Sequence, residues 1–218
     1  MSSLLERLRI RRSKKAFLID FWKPLRKYSS APYNGGMGYS CGYLNRTVDQ
    51  NYNYDPELEI PEFLRNHGLY GQLYTVSLTS CIVSNAITLE RKISSGSIFI
   101  SVTAGTTNSL SIGSDGRVGQ GTINIAIVTD ITIDDDAAMN LFMSVCEAKS
   151  QLLNDIGIMD PVTGRSAPGT STDSVSLFVG NEEGRSKYGG RLSEVGKAAS
   201  IMTYETLRKA LERDCRDE

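Results

Sequence analysis

Histidine is almost absent: the 218 residues contain one, His67. A centre built from several imidazoles is thereby excluded. The single ring, in FLRNHGLYG ahead of a glycine, reads as the end of a short helix and not as a catalyst. Four cysteines, Cys41, Cys81, Cys146 and Cys215, lie far apart and form no CxxC. That spacing argues against a zinc site and fits reduced thiols in a cytoplasmic protein. No run approaches the ~18 to 20 apolar residues of a membrane helix, and the start lacks an apolar core with a small-residue cleavage site, so a soluble protein is expected. An excess of one charge is missing too. The 24 Lys and Arg stand against 25 Asp and Glu, a net charge of −1, which gives no global field toward nucleic acid or an anionic membrane. GxxxxGK[ST], GxSxG and HExxH do not occur, and GRVGQG has the wrong spacing for a dinucleotide loop and precedes a strand. Neither a metal nor a cofactor is expected, and nothing speaks to oligomeric state.

What is present suits one domain spanning 1–218, long enough to bury its own core. AFLIDFW (16–22) reads as a strand, ended by Pro24 and the loop SSAPYNGGMG. A short helix is expected from near Pro61, then strands in LYTVSLTSCIV and SIFISVTAG. The glycine-rich turn 113–121 feeds a strand from Thr122. From Asp134 a helix is signalled by acidic residues at its start and by Ala138, Leu141, Val145, Ala148, Leu152 and Ile156 at helical spacing, with Gly157 as its stop. SVSLFVG is a further strand, NEEGRSKYGG (181–190) a surface loop, and LSEVGKAASIMTYETLRKALERD a final amphipathic helix. Strands and helices without strict alternation indicate an α+β fold, a mixed β-sheet in layers flanked by helices.

The chemistry-bearing residues cluster in polar loops around strands: TAGTTNS (103–109), GTIN (121–124) and APGTSTD (167–173). Because strand side chains alternate, Thr122 and Asn124 share one face while Ile123, Ile125 and Ile127 fill the other. Taken alone, such loops are ordinary turns and caps. In CEAKS, Glu147 and Lys149 are two apart on a helix and diverge, so at most one enters a cleft.

Segments in this order resemble the adenosylcobinamide amidohydrolase family, the archaeal and bacterial corrinoid-salvage enzymes known as CbiZ. They are SSAPYNGG, TAGTTNS, GTINIAIVTD, AMNLFMSVCEAKSQLLNDIGI, GTSTDSV and the helix after LSEVGKAAS, together about residues 15–212. The resemblance implies a hydrolase that cleaves the aminopropanol amide of adenosylcobinamide to give adenosylcobyric acid, with the corrinoid as a small-molecule substrate. GTINIAIVTD is also similar to a segment of the β-peptidyl aminopeptidase and ornithine acetyltransferase group, which implies an αββα sandwich. That similarity places a nucleophile at Thr122 and oxyanion donors at Asn108 with the backbone of Thr106 or Thr107. Asp173 with Ser171 would orient the proton transfers. In that group the nucleophile becomes a chain terminus. An intact chain favours water activated by Asp173 or Glu147 instead. Asn124, Thr170, Thr172, Asn34, Gly35 and Gly36 are the expected substrate contacts, and Tyr33, Tyr39 and Tyr43 add apolar surface. Two other readings stand beside this one: a non-catalytic corrinoid-binding protein, and a threonine-nucleophile peptidase or acyltransferase.

Overall fold

The computed structural model describes residues 4–49, 51–116 and 121–214. Its elements are α1 (Leu4–Arg7), β1 (Arg9–Arg12), β2 (Ala16–Ser29), β3 (Gly36–Thr47), α2 (Pro56–Asn66), β4 (Tyr74–Thr79), β5 (Ile87–Ile93), β6 (Gly96–Ala104), β7 (Ile123–Ile133), α3 (Asp135–Asp155), β8 (Ser174–Ser186) and α4 (Glu194–Asp214). The sheet order is β4-β3-β2-β8-β7-β6-β5, with β1 beside β2. The β3/β4 and β7/β8 pairs are parallel and the others antiparallel.

One strand turns this sheet into a sandwich. Residues 16–20 of β2 pair with β3, the register shifts between Asp20 and Leu25, and residues 25–29 pair with β3 while 26–29 also pair with β8. The two halves then face each other. Asn45 on β3 reaches Thr103 on β6 and Asn124 on β7, strands that are not its neighbours in the sheet. Away from the polar end, the gap is filled by Phe17, Ile19 and Tyr43 against Phe99, Val128 and Phe178. Ile60 and Leu64 of α2 cover Leu18, Leu44 and Val76 on one outer face. Helices α3 and α4 cover Ile98, Ile100, Ile123, Ile125, Ile127, Val175 and Leu177 on the other. The layers are helix, sheet, sheet, helix: the αββα sandwich expected of this α+β chain.

Three local expectations need correction. The first strand does not stop at Pro24. The proline sits in the register shift, where it removes no ladder hydrogen bond, and the strand continues to Ser29. The loop after it shrinks to residues 30–35. The second helix begins at Pro56 instead of near Pro61, because Asp55 accepts a hydrogen bond from the Glu57 N–H and Pro56 occupies the first turn. The tract 181–190 is not all loop, since β8 runs on to Ser186 and re-pairs with Ile131, Thr132 and Ile133 beyond a register shift. Helix α3 stops as expected, with Gly157 at φ +73 and the Ile158 N–H donating to the Leu153 carbonyl at 2.9 Å.

Candidate active site

At the polar end of the sandwich the two sheet halves part around a cleft of about 680 Å³. Its floor is the start of β7. Gly121 enters the strand at φ +113, a conformation that favours glycine, and donates its N–H to the Ser80 hydroxyl at 3.0 Å. A Cβ there would lie 2.8 Å from the Gly105 carbonyl oxygen and 2.9 Å from Asn108 Oδ1. Glycine therefore lets the strand start lie directly against the Asn108 loop. The next residue, Thr122, is 3 % exposed, and its hydroxyl shares a short hydrogen bond with the Thr172 hydroxyl.

Thr172 is delivered by a turn built around Asp173. Its Oδ1 accepts the Ile123 N–H at 3.0 Å and the Thr170 hydroxyl at 2.5 Å. Its Oδ2 accepts the Thr170 N–H at 3.1 Å and pairs with the Lys149 ammonium. Four donors occupy the lone pairs of this carboxylate, so it is equipped to hold the turn.

Asn108 is 8 % exposed and lines the same cleft. Its Nδ2 meets Ser171 Oγ at 3.3 Å, while Oδ1 is buried without a partner among the described residues. Since a serine hydroxyl both donates and accepts, the amide can present either of its ends to a bound group. Asn124 lies two residues beyond Thr122 on the same strand face. Its Nδ2 donates to Asn45 Oδ1 and to the Leu78 carbonyl, both at 2.9 Å, and its Oδ1 accepts from Ser174 Oγ at 2.9 Å. Ser174 in turn meets Ser77 Oγ at 2.7 Å. This network joins the two halves directly beneath the cleft.

The walls come from loops and the end of β4. Val48, Leu78, Leu110 and Pro32 give apolar surface, and Asp49, Tyr52 and Asp115 give polar groups. Burial and the adjacent Glu59 carboxylate push the Tyr52 hydroxyl up to about 12, so it stays protonated and donates to Glu59 at 3.1 Å.

The loop bearing Leu110 and Asp115 is tied down by Asp160, a residue 1 % exposed. Burial alone would raise its carboxyl. Hydrogen bonds from the Ser111 N–H, the Ser114 hydroxyl, the Val162 N–H and the Ser111 hydroxyl outweigh that and hold it below the ordinary carboxylate range. A folded-state value below the unfolded one, about 3.9, contributes stability that is complete above that value and is lost as pH falls toward the folded one. Asp160→Asn is therefore expected to lower the thermal midpoint at pH 7, with the difference from wild type shrinking between pH 4 and pH 2. A constant difference across that range would refute the assignment.

Of the residues expected from sequence, Thr122, Asn124, Asn108, Ser171, Thr172 and Asp173 all line the cleft, with Thr170 bonded to Asp173 behind it. Others do not line it. Thr106 is bonded through its carbonyl to Ser109, and neither it nor Thr107 is part of the lining. Asn34, Gly35 and Gly36 build the β2–β3 turn. Asn34 sits at φ +47 and donates to the Tyr74 carbonyl at 3.2 Å, and the Gly35 carbonyl accepts from the buried Lys27. Tyr43 is buried in the core, and Tyr39 is exposed beside Pro24 and Arg26. Glu147 also lies elsewhere, 47 % exposed and paired with Arg191 at 3.1 Å. Neither Glu147 nor Lys149 lines the cleft, but Lys149 reaches its wall from behind through the ion pair with Asp173. Lys149 is one residue from Ala148 and three from Cys146, on the half of the helix that turns toward the core. Cys146 packs there as an apolar residue, its thiol pushed up by burial. Ser80, Asp49 and Asp115 also line the cleft; as loop residues they carry no periodic pattern in the sequence. The turn 113–121 lies partly outside the described residues. Among those described, no group of three or more His, Cys, Asp and Glu side chains could hold a metal ion, and no helix is long and apolar enough to cross a membrane.

A buried threonine hydroxyl beside an amide with an unused end, on the floor of one cleft, suits attack on an acyl carbon, and the chain is an amidohydrolase. More narrowly, it belongs to the CbiZ family, adenosylcobinamide amidohydrolase, whose family model matches residues 1–218. No curated protein matches the chain. Among solved structures, the PH0078 protein from Pyrococcus horikoshii OT3 is similar with a TM-score of 0.51 and 9% identity, over 97% of this chain and 80% of that one. A Burkholderia sp. beta-aminopeptidase is similar with a TM-score of 0.49 and 10% identity, over 90% of this chain and 78% of that one. At such identities the first likeness speaks to the fold alone.

Proposed function

We propose that the enzyme hydrolyses the aminopropanol amide of adenosylcobinamide, releasing adenosylcobyric acid, with Thr122 as the attacking group. The observation that carries this reading is the Thr122 hydroxyl at the cleft floor, hydrogen-bonded to a second hydroxyl on Thr172. Thr122 Oγ1 forms a bond to the amide carbon, and its proton passes to Thr172, whose own proton goes to the leaving nitrogen. The C–N bond breaks, aminopropanol departs, and water returns along the same relay to cleave the ester and restore the threonine. Asn108 turns the donor end of its amide toward the oxyanion.

A cleft of about 680 Å³ suits an amide-bearing side chain better than a whole corrin ring. The ring then rests on the mouth, against Tyr52 and Leu110, and Asp49 and Asp115 accept from its amide rim. Purified protein incubated with adenosylcobinamide should yield adenosylcobyric acid and aminopropanol by mass spectrometry. Retention of the corrinoid without product would instead support a binding protein, and no retention would reject the substrate.

A further inference from the structure

Lys149, like its partner Asp173, is a charged group behind the site for which the proposed reaction has no part. Its side chain is 13 % exposed and its partner Asp173 is 11 % exposed. Burying two charges is costly, and an ion pair of this kind adds little net stability over well-packed apolar residues. Its surroundings are built closely around it. A Cβ on Gly169 would collide with both Asp173 Oδ2 and Lys149 Nζ, so the backbone can press on the pair only because residue 169 is glycine.

The carboxylate that Lys149 holds is bonded to both sides of the hydroxyl pair. One side is the strand start, through the N–H of Ile123, the residue after Thr122. The other is the turn carrying Thr172, through the N–H and hydroxyl of Thr170. With Lys149 in place the carboxylate has a fixed orientation and a cancelled charge. Without it, an uncompensated negative charge would stand behind the acyl carbon on which an oxyanion forms, and would oppose it.

We infer that Lys149 is a positioning residue for the hydrolysis, acting through Asp173 to hold the Thr122–Thr172 hydroxyl pair and to neutralise the carboxylate behind the developing oxyanion. The inference rests on Thr122 being the attacking group of the proposed reaction. It concerns the transition state more than the bound substrate, so it acts on kcat and spares KM.

The test is steady-state hydrolysis of adenosylcobinamide by the full chain and its Lys149→Met, Lys149→Met/Asp173→Asn and Glu147→Gln variants. Lys149→Met is expected to lose about 10²-fold in kcat with KM within about threefold of wild type. The double variant removes both charges and should regain about tenfold over Lys149→Met. Glu147→Gln, two positions away on the outer side of the helix, should match wild type. A merely structural role would lower the folded fraction and leave kcat per folded enzyme unchanged, with no recovery in the double variant. Wild-type kcat in Lys149→Met overturns the inference alone. If that variant does not fold, the double variant, which buries no charge, decides: a kcat about tenfold below wild type supports the inference, and wild-type kcat overturns it. A wild-type enzyme inert on the corrinoid overturns the substrate reading and this inference together.

Discussion

Thr122→Val lowers kcat for the corrinoid amide by about 10³-fold or more while KM and the thermal midpoint stay close to wild type; this is the largest effect expected of any single change. Valine keeps the β-branch that suits the start of β7 and removes only the oxygen. The Thr172 hydroxyl loses its partner at Thr122 but keeps the Gly121 carbonyl at 3.4 Å. No buried polar group is then stranded, and the stability cost should stay below about 1 kcal/mol. The same product assay with circular dichroism melting gives both quantities. Wild-type turnover in this variant would assign the attack to water and leave Thr122 as a wall of the cleft.

The second large effect falls on stability. Asn124 is 1 % exposed and ties three partners from different segments, Asn45, Leu78 and Ser174, into the seam between the sheet halves. Asn124→Ala removes both ends of that amide at once. Ser174 retains Ser77, but Asn45 Oδ1 and the Leu78 carbonyl each lose a donor. Leaving such groups unsatisfied costs about 1–3 kcal/mol apiece, so a loss of about 2–6 kcal/mol is expected in urea unfolding. For a chain of this size that is roughly 10 °C in the thermal midpoint. A loss under about 1 kcal/mol would mean that water enters from the cleft and satisfies the exposed ends.

The parts of the fold that could be read from the sequence are those where one face is wholly apolar. INIAIVTDITI alternates so cleanly that the sequence alone separates the isoleucines facing the helices from the Thr122 and Asn124 face. Helix α3 announces its start with acidic residues and its end with glycine. Strand β5, ITLERKI, is not legible, because no residue in it is fully buried and its charges read as surface. β1 is not legible, since Arg9, Arg11 and Arg12 are exposed on a short edge strand and give no apolar alternation. Within the site, the residues on strand starts and tight turns were legible from their residue types. The ion pair was not, because Lys149 and Asp173 meet only through the packing of α3 against β8, and helix charges are by default solvated.

The double pairing of β2 also bears on how the chain is made. Its C-terminal half lies beside residues 176–179 of β8, about 150 positions away in sequence. A nascent chain can form the β2–β3 hairpin early, but the sandwich cannot close until β8 has left the ribosome. Until then Leu25 and Tyr28 on one side, and the isoleucine face of β7 on the other, lack much of their final cover. Closure over so long a loop is slow compared with hairpin formation. The protein should therefore lean on chaperones during synthesis more than a helical bundle of equal length would.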